Sequence, residues 1–319
     1  MGRRRSGRRP KKSLSAAAAA PRRRSAQIVE GRSGGAGPDR REALARLAEK
    51  YAVPVGDLDG WTIAVNLTRS DRRIFNRELQ VYAERLAARA VLRRAADLVG
   101  PIRGATERVR EPLCDPFSGE FDLERTLENI GAKELPEPED WVVERRQERR
   151  QQVVLMVDTS LSMSGENMAM AAVAAAVLAL KLHRGDLSVV VFEDQARAVS
   201  HLEQEAPPAL VVERMLEQPV RGYTNIEAAL RVGAEELARG RNPRKAGLLV
   251  TDGVSTAGGD PLPLAARFNR LFVLLTEDYK MNPGLCRQMA DLGHGDVFPV
   301  KSFAQLPRRM LDVADRVLR

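Results

Sequence analysis

The feature that most constrains this chain is an alternation in its C-terminal half, where continuously apolar runs are separated by segments of helical period. The runs cover residues 153–157, 187–192, 247–251, 271–276 and 297–300. The helical patterns cover residues 167–182, 226–239, 262–269, 283–292 and 306–318. A strand that is apolar at every position is buried on both faces, and crossover helices are what cover both faces of a parallel sheet. The expectation is an α/β fold, a doubly wound, mainly parallel sheet flanked by helices. Residues 196–202 are expected to turn back on 187–192 as a hairpin. In such sheets ligands bind beyond the carboxyl ends of the strands.

The helix after the first run is unusually rich in alanine. Met168, Ala172, Val173 and Leu178 leave it apolar all round, which predicts burial against the sheet with close backbone approach. Its longest unbroken apolar stretch, residues 168–180, is too short to span a bilayer.

Upstream, the organisation differs. Residues 1–41 carry 13 Lys+Arg against Glu30 and Asp39, a net of +11, so the rest of this +8 chain sums to −3. Such a tail, rich in Arg, Gly, Ser, Ala and Pro, has no apolar period and is expected to be disordered. Residues 42–140 read as a helical N-terminal region. One helix is predicted over 41–50, and a longer one from Ser70 with Ile74, Phe75, Leu79, Tyr82, Leu86 and Ala90 on one face, stopped at Gly100-Pro101. Residues 101–140 read as irregular apart from a short helix over 123–129. Strands are predicted at 141–143 and 152–157, separated by the charged run 144–150. The main α/β domain is placed at 141–319.

Chemistry concentrates where three loops reach the ligand-facing edge. The stretch "VDTSLSMSG" puts Asp158, Ser160 and Ser162 just past the first central strand. "RGYTNIEAAL" puts Thr224 ahead of a helix, and "LLVTDG" ends a later strand with Asp252. Singly, Asp and Ser there would serve as helix caps. Together they offer three hydroxyls and two carboxylates, a hard oxygen set suited to Mg²⁺ or Mn²⁺ and unsuited to zinc.

"DTSLS", "GYTNIEAAL" and "TDG", in that order, resemble the metal-ion-dependent adhesion site of the von Willebrand factor type A (VWA) family, over roughly residues 141–319. The resemblance implies direct ligation by Ser160 and Ser162, ligation by Thr224 directly or through water, and water-mediated contacts from Asp158 and Asp252. The family commonly has glycine where this chain has Leu161. It also implies that a partner carboxylate completes the coordination of the ion. Partner selection on this edge is assigned to Ser164, Tyr223, Asn225, Ser255, Glu277 and Asp278. "GEFDLERTLENI" before the domain looks like the intracellular CoxE-like group, whose members typically work with MoxR-type AAA+ ATPases in complex assembly or metalloenzyme maturation.

Enzyme signatures are missing. The sequence has no GxxxxGK[ST], GxGxxG or HExxH, and no GxSxG elbow, since the GxSxG spacing of Gly31, Ser33 and Gly35 lies in the basic tail with no apolar strand before it. An aspartyl-phosphate mechanism on Asp158 would want a second aspartate where Ser160 stands. His183, His201 and His294 are scattered, and Cys114 and Cys286 form no pair. The expected function is a non-catalytic, Mg²⁺-dependent protein-binding adaptor in the cytoplasm, with no membrane contact. A chelatase-like accessory subunit is the alternative. A nucleic-acid-associated factor acting through the basic tail is a second alternative, disfavoured by an aromatic content of 4%.

Overall fold

The computed structural model describes residues 40–67, 77–100, 106–112, 120–131, 133, 135–148, 150–160, 163, 165–218, 222–276 and 281–317. All of them lie in one compact unit, Pro38–Arg319. The disordered tail expected over 1–41 falls almost wholly outside the described residues.

Three helices open the described chain: α1 (Arg40–Tyr51), α2 (Gly60–Leu67) and α3 (Arg77–Val99). Asp59 caps α2 by accepting the Thr62 amide at 2.7 Å. Gly100, at φ +64°, ends α3 as predicted, its amide donating to the Ala96 carbonyl at 2.9 Å. The predicted start of α3 at Ser70 lies outside the described residues.

A small antiparallel sheet follows, built from β1 (Thr106–Pro112), β2 (Glu120–Phe121) and β3 (Val142–Glu148) in the order β1-β3-β2, with α4 (Leu123–Ile130) beside it. Here the structure corrects the sequence reading. The strand expected at 141–143 is present as β3, but it runs on through the charged segment to Glu148, and part of the segment expected to be irregular is its partner β1. Their register sets Arg110 opposite Glu144 and Arg108 opposite Arg146. A thin ribbon without a large core to cover shows no apolar alternation, so hydropathy does not reveal it.

The main sheet contains β4 (Gln152–Asp158), β5 (Leu187–Phe192), β6 (Ala196–Ser200), β7 (Lys245–Thr251), β8 (Leu271–Thr276) and β9 (Val297–Val300). Their order is β6-β5-β4-β7-β8-β9. All neighbours are parallel except the β5–β6 hairpin. The helices between and after the strands are α5 (Glu166–Lys181), α6 (Pro208–Leu216), α7 (Ile226–Arg239), α8 (Leu262–Ala265), α9 (Pro283–Leu292) and α10 (Leu306–Val317). The predicted doubly wound α/β architecture is present, with α8 shorter than expected and α6 not anticipated.

Side-chain alternation divides the core in two. Val153, Leu155 and Val157 face the layer containing α5, α6 and α10, whereas Val154 and Met156 face the layer containing α7 and α9. Helix α5 is buried nearly all round because α3 covers its outer side. The face α3 buries is Ala83, Glu84, Ala87, Ala88, Val91 and Ala95, not the stripe of larger residues read from the sequence. Leu79, Tyr82 and Leu86 are only partly buried. Small side chains on α3 and α5 let the two backbones approach closely, which large ones would prevent.

Helix α2 is pinned to α3 by close backbone contact and by Arg94, whose guanidinium lies 3.6 Å from the Trp61 ring centroid. A Cβ on Gly60 would sit 2.7 Å from the Leu86 carbonyl oxygen and 2.9 Å from the Ala90 Cβ. Gly60→Val is therefore expected to lower stability by about 1–3 kcal/mol through overpacking, read as a reduced midpoint in urea unfolding.

Candidate metal centre

The site begins with topology. From β4 the chain goes to β5 on one side, and β7 then takes the position on the other side. The connections leaving β4 and β7 thus diverge, opening a crevice beyond their carboxyl ends. Asp158 is the last residue of β4, and Asp252 follows the last residue of β7.

Both aspartates are fixed by the same local device. One carboxylate oxygen of Asp158 accepts the Ser160 amide at 2.9 Å, and one of Asp252 accepts the Val254 amide at 2.8 Å. Each closes a turn over two residues. Thr159 locks the first loop to β5, its amide and hydroxyl donating to the Phe192 carbonyl at 2.8 and 2.9 Å. In the second loop, Gly253 takes φ +79°, and a Cβ there would lie 2.7 Å from the Asn282 carbonyl oxygen and 2.6 Å from the Cys286 sulfur.

Thr224 arrives from the loop before α7. Its amide donates to the Thr256 hydroxyl at 2.9 Å, and its carbonyl accepts the Thr256 and Ala257 amides at 2.9 and 3.1 Å. This binds the threonine loop to the segment that carries Asp252. The side chains of Ser160 and Thr224 lie close enough to Asp158 to favour its charged form, and its carboxylate also feels the charge of Asp252. Four of the five predicted ligands, Asp158, Ser160, Thr224 and Asp252, therefore converge. Ser162 lies outside the described residues.

Among the residues assigned to partner selection, Tyr223 is exposed beside Thr224. Asn225 caps α7, accepting the Ala228 amide at 2.9 Å, while its side-chain amide donates to the Asp194 carbonyl at 3.0 Å. The Ser255 hydroxyl bonds to the Ala257 carbonyl at 3.0 Å and reaches the Thr224 carbonyl at 3.4 Å. Ser164, Glu277 and Asp278 lie outside the described residues.

A small recess between Asp158 and Asp252 is completed by Met163, Val250, Thr251, Thr276 and Phe303. Phe303 and Thr256 were not legible as site residues, because nothing in their local sequence marks them. Both come from loops that tertiary packing brings to this edge.

The electrostatics follow from burial. Desolvation pushes Asp158 up from 3.8 to about 7, and the nearby Asp252 charge adds to the rise, while bonds from the Ser160 amide and the Ser160 and Thr224 hydroxyls oppose it. Burial, with Asp252 beside it, likewise pushes the Cys286 thiol up to about 12. Cys286 is thus a neutral packing residue under Gly253. Among the described residues no trio of His, Cys, Asp or Glu converges. The donor set is two carboxylates with hydroxyls, which fits a hard divalent cation and offers no soft ligand.

A family model described as VWA domain containing CoxE-like protein matches residues 89–272, more than half of the chain. The chain belongs to this CoxE-like VWA family. Its members are built on the VWA domain, a protein-interaction module. The match begins within α3 and ends within β8, so it contains every residue of the converging set.

Solved structures similar to the chain include proximal thread matrix protein 1 from the mussel byssus, at 20% identity and TM-score 0.46, covering 52% of this chain and 47% of that one. A von Willebrand factor type A protein from Catenulispora acidiphila is 18% identical at TM-score 0.47, over 56% of this chain and 45% of that one. An aerotolerance-related membrane protein from Bacteroides fragilis is 16% identical at TM-score 0.41, over 52% and 99%. The chain spans about half the length of the first two of these. No curated protein matches the chain. Among the described residues, no helix is long and apolar enough to cross a membrane.

Because the folded-state pKa of Asp158 lies above its unfolded value, the native state holds the proton more tightly. That contribution to stability is complete below about pH 4 and disappears as pH rises through about 7. In metal-free buffer, the stability difference between the wild type and Asp158→Asn should therefore shift against the wild type with rising pH, by up to about 1.4 kcal/mol per pH unit within that window. Parallel urea denaturation curves across the window check this; a pH-independent difference would contradict it.

Proposed function

We propose that the chain is a non-catalytic adaptor that binds a protein partner through a divalent cation at the Asp158–Asp252 edge. The observation carrying this reading is the buried Asp158 carboxylate with the half-buried Asp252 beside it and the hydroxyl-bearing Ser160 and Thr224 next to it. In this reading Ser160, Ser162 and Thr224 contact the ion, and Asp158 and Asp252 hold it from behind, largely through water. When bound, the cation supplies an electrophilic position that a partner's carboxylate can fill.

The chain's own residues do the rest. The Ser160 and Val254 amides aim the two carboxylates, Thr256 fixes the height of Thr224, and Gly253 permits the turn that places Asp252 next to β4. Neutral hydroxyls nearest the ion leave its charge only partly satisfied, favouring an acidic group from outside. Mg²⁺ is the proposed ion, with Mn²⁺ as the alternative. A MoxR-type AAA+ ATPase or its client is the proposed partner, in complex assembly or metalloenzyme maturation.

Two outcomes are expected. Mg²⁺ at about a hundred times its Kd should raise wild-type stability by about 2.7 kcal/mol, and Asp158→Ala should abolish that gain without unfolding the domain. In affinity capture from cell extract with wild type and Asp158→Ala, each in Mg²⁺ and in EDTA, a single AAA+ ATPase or acidic client should be retained only by wild type with Mg²⁺. Identical retention under all four conditions would refute the adaptor mechanism.

A further inference from the structure

The small sheet and α4 pack mainly on one another, outside the main sheet and its covering helices. Helix α4 is amphipathic in an unusual sense. Its buried residue is the polar Thr126, whose hydroxyl donates to the Asp122 carbonyl at 2.7 Å and accepts the Val142 amide at 3.0 Å. Leu123 and Leu127, one turn apart on the same stripe, are 60% and 59% exposed. Phe121, just before the helix, is 46% exposed and leans on Trp141 with ring centroids 5.7 Å apart. The helix is therefore held to its sheet by hydrogen bonds while its apolar stripe faces outward.

The charge around this face is predominantly negative, although Arg110 of β1 pairs with the Asp122 carboxylate at 2.9 Å. Residues 120–140 contain eight acidic residues and two basic ones, Arg125 and Lys133. Both basic side chains are engaged within the segment, Arg125 with Glu128 at 3.0 Å and Lys133 with Asp140 at 2.8 Å. Exposed Glu120 and Glu124 flank the leucines. A second copy meeting this face with its own would set acid against acid, which disfavours a symmetric dimer. An anionic lipid surface is disfavoured by the same repulsion.

We infer that the Phe121–Leu123–Leu127 face is a docking site for a basic amphipathic helix of a partner protein, separate from the metal edge. The leucines and Phe121 take the partner's apolar stripe, and the carboxylates around them pair with its lysines or arginines. Contacts of this kind need no divalent ion.

The test uses the full chain and two synthetic helical peptides, one Leu/Lys and one Leu/Glu, with fluorescence anisotropy in EDTA. The wild type should bind Leu/Lys saturably and not Leu/Glu. Leu123→Ser with Leu127→Ser should weaken binding at least about tenfold, given the area two leucines bury. Because both side chains are exposed, the thermal midpoint should not change. Glu120→Lys with Glu124→Lys, a second and independent variant, should also weaken Leu/Lys binding. The inference is overturned if wild type does not bind Leu/Lys, if both peptides bind equally, or if the double leucine variant binds undiminished. A Leu123-dependent dimer in sedimentation equilibrium would overturn it too, by assigning the face to a second copy. The metal-site reading stands or falls separately, since every arm is run without metal.

Discussion

Two carboxylates at the ends of adjacent parallel strands, Asp158 buried and Asp252 half-buried beside it, form the constraint around which this molecule is organised. Burial of Asp158 favours its protonated form in the metal-free protein, and the Asp252 charge beside it adds to that preference. Hydroxyls, backbone amides and a left-handed glycine are all spent on keeping the pair in place.

The site's rigidity comes from the layers beneath it. Strands β4 and β7 are buried on both faces, α7 reaches the sheet closely at Gly233, where a Cβ would lie 2.5 Å from the Met156 sulfur, and α5 is held between the sheet and α3. The alanines of α5 serve two neighbours at once. The helices before the small sheet are for this reason part of the same body as the metal edge, and Phe303, immediately ahead of α10, links the recess to the C-terminal helix.

The small sheet follows a different logic. It buries little beyond Val143, is held by hydrogen bonds and ion pairs, and carries Phe121, Leu123 and Leu127 outward. Hydropathy reads buried cores well, so β4, β5, β7, β8 and β9 were legible to within a residue or two. It reads β3 poorly, where Glu144, Arg145 and Arg146 occupy successive positions of a strand. Helix α3 was recognised, but not its buried face: alanine looks neutral in a periodicity count, and only close packing against another alanine-rich helix makes it an interior residue.

The sequence by itself determined the architecture and which oxygen-bearing side chains meet, because strand–helix alternation and the order Asp158, Ser160, Thr224, Asp252 are local patterns that parallel pairing brings to one edge. Tertiary structure alone decided that Asp158 is desolvated enough to hold a proton near neutrality, that Thr256 and Gly253 position Thr224 and Asp252, and that Leu123 and Leu127 face outward. Each of these depends on what surrounds a side chain in space. Burial and close approach are sums over distant parts of the chain, and no local spacing contains them.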